Sequence, residues 1–128
     1  MLYDVGMEDM TVSKVFRFSE MPTRKMANGG ESRDVMRGTL PTGEVVASHE
    51  SMQVAGMAPN PMHRIDHTEV IMVQEGTMEF KFEDKTERGG PGTVFYVAKG
   101  TNHSVRNVGD GPARYFVVAV GGDVKPAV

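Results

Sequence analysis

The residues best suited to chemistry in this chain are its four histidines. His63 and His67 lie close together and shortly before Glu69, at the start of an apolar run. Neutral imidazole and carboxylate are good ligands for Fe, Mn, Ni or Zn, and a face with two histidines and one carboxylate is typical of non-haem iron oxygenases. The cluster therefore indicates a metal site that needs a further ligand from elsewhere in the chain. His103, which follows another apolar run and a tight turn, is the natural donor.

Composition and charge exclude several other kinds of site. The chain of 128 residues contains no cysteine, which removes disulfides, thiolate nucleophiles and cysteine-based zinc or iron–sulfur sites. Its net charge of −3 provides no basic field for nucleic acid. The longest apolar run, residues 115–120, is too short to cross a bilayer. Residues 1–10 lack the basic and apolar stretches of a secretory signal, so we expect a cytoplasmic protein, or a periplasmic one if a signal was removed before residue 1.

Short apolar runs between glycine and proline residues predict an all-β fold. The 15 Gly and 7 Pro are spread along the chain as breaks between runs rich in Val, Phe, Tyr, Ile and Met. Such runs are typical of a β-sandwich or β-barrel. We expect strands at 45–54, 69–74, 77–82, 93–98 and 115–120. Residues 31–128 are predicted to form the barrel, and residues 1–30 a less regular arm with a strand near 12–18.

Two segments resemble the two sequence motifs of the cupin family. In the first, about residues 56–76, Gly56 and His63 stand at the family's opening glycine and first histidine. Glu69 and Gly76 stand at its glutamate and closing glycine, with the family's spacing between them.

The second motif lies at about residues 92–107. It keeps the family's glycines, histidine and asparagine as Gly92, Gly100, His103 and Asn107. Ala98 replaces the proline of the pattern. The resemblance covers about residues 40–121 and implies a single-domain cupin barrel, which is a double-stranded β-helix or jelly roll, preceded by the N-terminal arm.

One position departs from the family pattern, because Ile65 stands where cupins have their second histidine. In a straight strand, residues four apart lie about 13 Å from each other. A turn around residues 66–68 would remove that objection and let His67 supply the missing imidazole. We therefore predict one divalent transition metal (Fe, Mn, Ni, Zn or Cu) on the ligands His63, His67, Glu69 and His103. The alternative is that His67 is solvated and three ligands suffice.

The resemblance implies chemistry on a small organic molecule inside the barrel. Its leading interpretation is a dioxygenase-type oxidoreductase, in which Glu69 binds the metal and also accepts a proton. The same metal could act as a Lewis acid in a lyase, an isomerase or a hydrolase. A third class is a non-catalytic ligand-binding or sensory protein, which Ile65 favours. Fold alone does not choose between these classes.

Two further expectations concern surfaces. The arm carries four apolar side chains that it is too short to bury alone, Val12, Val15, Phe16 and Phe18. They predict a homodimer. Within residues 45–54, His49 alternates on one face with Ser51 and Gln53. This polar face could line a pocket, but we expect it to face solvent.

Overall fold

The computed structural model describes residues 8–58 and 60–124. Its regular structure consists of ten β-strands and a 3₁₀ turn at Phe18–Glu20. The strands are β1 (Arg24–Lys25), β2 (Glu31–Thr39), β3 (Val45–Gln53), β4 (His63–Arg64), β5 (Thr68–Glu75), β6 (Met78–Phe82), β7 (Lys85–Gly89), β8 (Val94–Val97), β9 (Asn102–Asn107) and β10 (Ala113–Val120). The all-β prediction is therefore confirmed. Among the described residues, no helix is long and apolar enough to span a membrane.

The strands form two antiparallel sheets. The larger sheet has six strands in the order β1-β2-β3-β10-β5-β8, and the smaller has four in the order β4-β9-β6-β7. Neighbouring strands are often distant in the sequence, since β10 lies between β3 and β5, and β9 lies between β4 and β6. This winding brings the two candidate motif segments, one around β4 and β5 and the other around β9, into one region of the barrel.

The barrel interior is filled from one face of each long strand. On β10, Tyr115 and Val117 lie opposite Val73 and Ile71 of β5, and all four are buried. Ten buried residues form one apolar cluster: Ile65, Ile71, Val73, Met78, Phe80, Phe95, Val97, Ala113, Tyr115 and Val117. Burial of each large side chain contributes about 1.5–3 kcal/mol, so this core can hold the fold without a metal.

The N-terminal arm crosses the outer face of the larger sheet. The backbone N–H of Glu8 donates to the carbonyl of Arg37 at 2.8 Å, and the ring of Phe18 stacks on Phe116 with centroids 6.2 Å apart. Residues 13–17 have no regular structure, so the expected strand near 12–18 is wrong. Residues 13–17 lie over a sheet face and not beside a strand, and the first strand pairing of the described arm is that of β1 with β2.

Candidate functional site

The pairing of β4 with β9 places two of the predicted ligands side by side. His63 is directly opposite His103 in the register, and their ring centroids are 4.7 Å apart. His103 is buried at 3% exposure, whereas His63 is exposed. The guanidinium of Arg64 donates to the carbonyl of Gly100 at 2.7 Å, which ties β4 to the turn before β9. The short strand β4 therefore owes its position to contacts with the second motif.

Both rings of this pair are held in the same way. His63 Nδ1 lies 3.3 Å from the carbonyl of Pro61, and His103 Nδ1 lies 3.1 Å from the carbonyl of Thr101. A carbonyl oxygen can only accept, so Nδ1 carries the hydrogen in each neutral ring. Each Nε2 then keeps its lone pair. Metal-binding histidines are oriented by this kind of hydrogen bond to the other ring nitrogen.

Glu69 is the second residue of β5 and points into the barrel. It lies opposite Val97 of β8 and Ala119 of β10, and it alternates with the buried Ile71. Its Oε1 is 4.0 Å from Nε2 of His103. Its side chain is 16% exposed, which leaves the carboxylate within reach of the barrel opening.

His67 contacts two carboxylates at once. Its Nε2 is 2.7 Å from Oε2 of Glu69, and its Nδ1 is 2.6 Å from Oδ1 of Asp123. Burial on its own would lower the pKa of His67, but the hydrogen bonds and negative charges of Glu69 and Asp123 outweigh it and raise that pKa. His67 thus joins Glu69 to the turn that follows β10.

That turn packs tightly against the connection between β4 and β5. The backbone N–H of Asp123 donates to the carbonyl of Asp66 at 3.0 Å. Gly122 has φ +53, and a Cβ at this position would lie 1.7 Å from the same oxygen. Only glycine allows this approach, which is what brings Asp123 to His67.

Ile65 is a core residue. It is 8% exposed and belongs to the apolar cluster, and its carbonyl accepts from the N–H of Gly100 at 2.8 Å. An aliphatic side chain cannot coordinate a metal, so the family's second ligand position is used here for packing.

The donors suit a divalent transition metal in chemical type. The imidazoles of His63 and His103 lie side by side, and Nε2 of His103 is 4.0 Å from the carboxylate of Glu69. Fe, Mn, Ni or Zn accepts such a set of donors. Their present spacing is wider than in a formed site. Among residues 8–58 and 60–124, no three His, Asp or Glu side chains form a group that could hold a metal ion as they stand. Ligands about 2.0–2.2 Å from one metal lie roughly 3–3.4 Å from each other, so Glu69 and His103 would have to approach slightly.

The inner face of β3 adds polar groups that the sequence did not assign to a site. His49 lies opposite the buried Val117, and Ser51 lies opposite Tyr115. The expectation that this face meets solvent is therefore wrong. Burial lowers the pKa of His49, although the charge of Glu69 opposes the shift. The side of β3 that faces inward is decided by its pairing with β10, which a local pattern does not reveal.

Tyr115 is a further inward polar group that sequence reasoning missed. Its hydroxyl accepts from Nε2 of Gln53 at 3.1 Å, and burial raises the pKa of the phenol. The only available signal was the alternation of Tyr115 with Phe116, and it does not say which ring is inside.

Comparison with known proteins agrees with the architecture. Residues 48–119 match the family model described as the cupin domain. No curated protein sequence matches the chain significantly.

Solved structures of the same fold superimpose over most of the chain. A cupin described as RmlC-like from Methanocaldococcus jannaschii has a TM-score of 0.66 at 17% identity, covering 87% of this chain and 93% of that one. A cupin of the same description from Shewanella frigidimarina has a TM-score of 0.70 at 15% identity, covering 87% and 94%.

Bacillus subtilis oxalate decarboxylase is also similar. A mutant of that enzyme has a TM-score of 0.69 at 25% identity, covering 89% of this chain but 31% of its own. The chain therefore spans less than a third of the decarboxylase, whose Mn(II) centres are named in the description of one such structure. The matched motifs, the two-sheet barrel and the extent of the family match lead to one conclusion: this chain belongs to the cupin family.

Proposed function

We propose that this chain is a metal-dependent cupin enzyme that converts a small organic molecule inside its barrel. The observation that carries the proposal is the paired arrangement of His63 and His103, in which each Nδ1 is used by a carbonyl and each Nε2 is left free. Glu69 supplies a carboxylate whose Oε1 is 4.0 Å from Nε2 of His103. These three residues are the proposed ligands of one divalent transition metal.

A divalent metal bound here would supply Lewis acidity and, if it is redox-active, a place for dioxygen to react. The protein's own contribution is orientation. Glu69 is held from one side by His67, so its second oxygen stays directed toward His103. The carboxylate can accept a proton, and His67 lies in direct hydrogen-bond contact to stabilise either protonation state.

A dioxygenase-type oxidoreductase is the leading reaction class. It follows from the proposed set of two histidines and one carboxylate, which leaves coordination positions open for substrate and dioxygen. A lyase is the second candidate, and the similarity to oxalate decarboxylase at 25% identity favours it. A non-catalytic ligand-binding role is favoured by Ile65 alone.

Metal content tests the proposal directly. The purified chain is stripped with chelator, reconstituted separately with Fe(II), Mn(II) and Zn(II), and measured by elemental analysis. We expect about one metal per chain, and loss of the metal in the Glu69→Gln variant. Glu75→Gln is the matched control, because Glu75 lies on the same strand but pairs with Arg114 at the surface. Equal metal content in both variants would contradict the proposed site.

The reaction class is tested on the metal-loaded protein. An oxygen electrode and carbon dioxide detection are used in parallel, with oxalate as the probe for the lyase. Oxygen uptake with a panel of small phenols and diketones supports the oxidoreductase, whereas carbon dioxide release from oxalate supports the lyase. A metal-loaded protein that does neither supports the non-catalytic class.

We also propose that the chain forms a homodimer. Val12 and Val15 of the arm are 58% and 72% exposed, and Val94 and Tyr96 on the edge strand β8 are 57% and 64% exposed. A second copy would cover such apolar surface. Sedimentation at micromolar concentration should show a dimer, and Val15→Asp should weaken it more than Thr42→Asp in the exposed turn between β2 and β3. A monomeric wild-type chain would contradict this proposal.

A further inference from the structure

An open cleft of about 480 Å³ lies beside the smaller sheet, at the end of β9. The side chains of Arg88 and Arg106 line it, together with residues 107–109 and residues 56–58. The proposed metal ligand His103 is the second residue of β9, whereas Asn107 is its last. Four residues of a strand span about 13 Å, so the cleft and the proposed metal site are at different ends of this strand.

The register places the two arginines on the outer face of the smaller sheet. His103 lies opposite Phe82, and it belongs to the side chains that face the barrel interior. Arg106 and Arg88 each lie opposite Glu79, from the two sides of β6. Successive side chains of a strand point to opposite faces, so these three charged residues lie side by side on the face away from the interior.

Glu79 holds both guanidinium groups in place. Its side chain is only 8% exposed, whereas Arg88 and Arg106 are 60% and 42% exposed. Nε and Nη2 of Arg88 donate to its Oε2 at 3.3 and 3.2 Å, and Nε of Arg106 lies 3.2 Å from its Oε1. One buried carboxylate therefore fixes two guanidinium groups that reach the surface.

These contacts leave positive charge and hydrogen-bond donors over. Two guanidinium groups share one carboxylate, so one positive charge is in excess. Nη1 of Arg88 and both terminal nitrogens of Arg106 have no partner among the described residues. An arginine carries five N–H donors and no acceptor, so these free atoms can only donate. They are suited to an anion from solvent.

The other charged groups nearby do not remove this excess. Lys81 of β6 adds a positive charge and lines a neighbouring depression with Arg106. Glu83 is paired with Arg64 at 3.2 Å. The described lining of the cleft contains no acidic residue, and four carboxylates of the adjoining strands and turns lie outside it: Glu83, Asp84, Glu87 and Asp110.

A phosphate group matches the donors that the cleft offers. The planar fork of an arginine binds two phosphate oxygens at once, and such charge-assisted hydrogen bonds are stronger than neutral ones. Met57, Ala58 and Val108 add apolar surface to the same cleft. Small-molecule sites occupy roughly 300–1,000 Å³, so the cleft has room for an organic group attached to the phosphate.

We infer that this cleft is an anion site on the outside of the barrel, in which Arg88 and Arg106 bind a dianionic phosphate group, free or carried by a small organic molecule. Glu79 is the residue that positions the two guanidinium groups. The inference is independent of the proposed metal site, because none of the proposed metal ligands lines the cleft.

NMR titration of the full chain tests the inference. Phenyl phosphate, inorganic phosphate and benzoate are added to the chelator-treated chain at about pH 8, where the phosphates are dianions, and at a constant ionic strength of about 0.1 M. We expect saturable shifts of the arginine Nε–H signals and of the amides of residues 106–109, with a Kd of about 1 mM or tighter for the phosphates. Benzoate should bind at least about fivefold more weakly, since it carries one charge. Tighter binding of phenyl phosphate assigns the site to an organic phosphate, and equal binding assigns it to free phosphate.

Variants of the two arginines locate the binding. Arg88→Gln and Arg106→Gln should each weaken phosphate binding about tenfold or more, because each removes charge-assisted hydrogen bonds. Lys81→Gln is the control. It removes the same charge from the same face, but Lys81 does not line the cleft, so binding should weaken less than about threefold.

A second variant guards against loss of the fold, since a glutamine leaves Glu79 with one partner. Arg106→Lys keeps the charge beside Glu79 but loses the fork, and it should still weaken binding at least about threefold. Circular dichroism checks that each variant is folded. The absence of saturation at about 10 mM phosphate, equal effects of Lys81→Gln and the arginine variants, or shifts centred on His63 and His103 would overturn the inference.

Discussion

The imidazoles of this barrel are held in two different ways. On the smaller sheet, His63 and His103 each place Nδ1 against a backbone carbonyl. Just before β5 of the larger sheet, His67 lies between the carboxylates of Glu69 and Asp123. A carbonyl fixes the neutral tautomer and leaves the other nitrogen free to donate its lone pair. Two carboxylates instead favour a protonated ring, which cannot bind a metal.

This difference assigns separate roles to histidines that the sequence grouped together. The carbonyl-held pair has the form of metal ligands, and the carboxylate-held ring has the form of a positioning residue for Glu69. Four-ligand coordination would require His67 to leave either Glu69 or Asp123. The three-ligand alternative needs no such rearrangement, and we favour it.

Removal of a carbonyl-held imidazole should have the largest effect. We expect His103→Ala to lower metal affinity by about 100-fold or more, since even the outer partners of metal ligands contribute about 10- to 100-fold. The apolar core does not depend on this ring, so the variant should remain folded, with a loss of about 1–3 kcal/mol from the buried site. Elemental analysis and circular dichroism measure the two effects.

Two variants separate ligation from folding in this experiment. His103→Gln keeps much of the side-chain volume and should also lose the metal. His49→Gln alters another inward histidine that is not among the proposed ligands, and it should keep metal. Full metal occupancy in His103→Gln would exclude His103 as a ligand.

Removal of the carboxylate-held imidazole should reduce metal affinity less. We expect His67→Ala to reduce metal affinity about tenfold, because Glu69 loses the partner that orients it but remains available as a ligand. His63→Ala should reduce metal affinity at least ten times more than His67→Ala does. Titration calorimetry with Zn(II) or Mn(II) compares the two. Equal losses would restore the prediction that His67 coordinates directly.

Much of the fold could be predicted from the sequence because the strands are short and clearly bounded. The expected segments 69–74, 93–98 and 115–120 coincide with β5, β8 and β10 within two residues at each end. The two motifs also come together as the resemblance implied, with His63 opposite His103. Their roles as metal ligands remain predictions.

The side of β3 that faces inward could not be predicted. His49 and Ser51 on one face are polar. Glu50 on the other face is also polar, and it is buried in an ion pair with Arg33 at 3.4 Å. A strand with polar groups on both faces gives no local indication of which face points into the barrel. The pairing with Tyr115 on β10, distant in the sequence, decides the orientation.

Asp123 was missed for the same kind of reason. It lies in a turn near the end of the described chain, and nothing in its local sequence points toward His67. Its contact depends on Gly122, whose backbone lies against Asp66 where a side chain would clash. Such contacts arise from the closure of the barrel, which brings the end of β10 to the start of β5.

The smallest expected effect concerns the two carboxylates that contact His67. It is a pH-dependent change in the free energy of unfolding. Burial lowers the pKa of His67, but Glu69 and Asp123 together raise it above its ordinary value of 6.5. A raised folded-state pKa stabilises the fold fully below the unfolded value, and the stabilisation is lost as pH rises through the folded value. Asp123→Asn removes one of the two charges and should lower the His67 pKa toward 6.5. Because Asp123 is 52% exposed, its loss should cost only about 0.5 kcal/mol.

The measurement uses the metal-free chain, so that coordination does not mask the titration. NMR follows the His67 ring, and urea unfolding is compared at about pH 5.5 and about pH 9, on either side of the expected transition. The wild-type advantage over Asp123→Asn should be larger at the lower pH, where the raised pKa of His67 keeps its ring charged. Asp110→Asn, in the exposed turn before β10, is the control and should show no such dependence. If Asp123→Asn leaves the His67 titration unchanged, the ring is not held by two carboxylates in solution, and the reason for separating His67 from the metal ligands disappears.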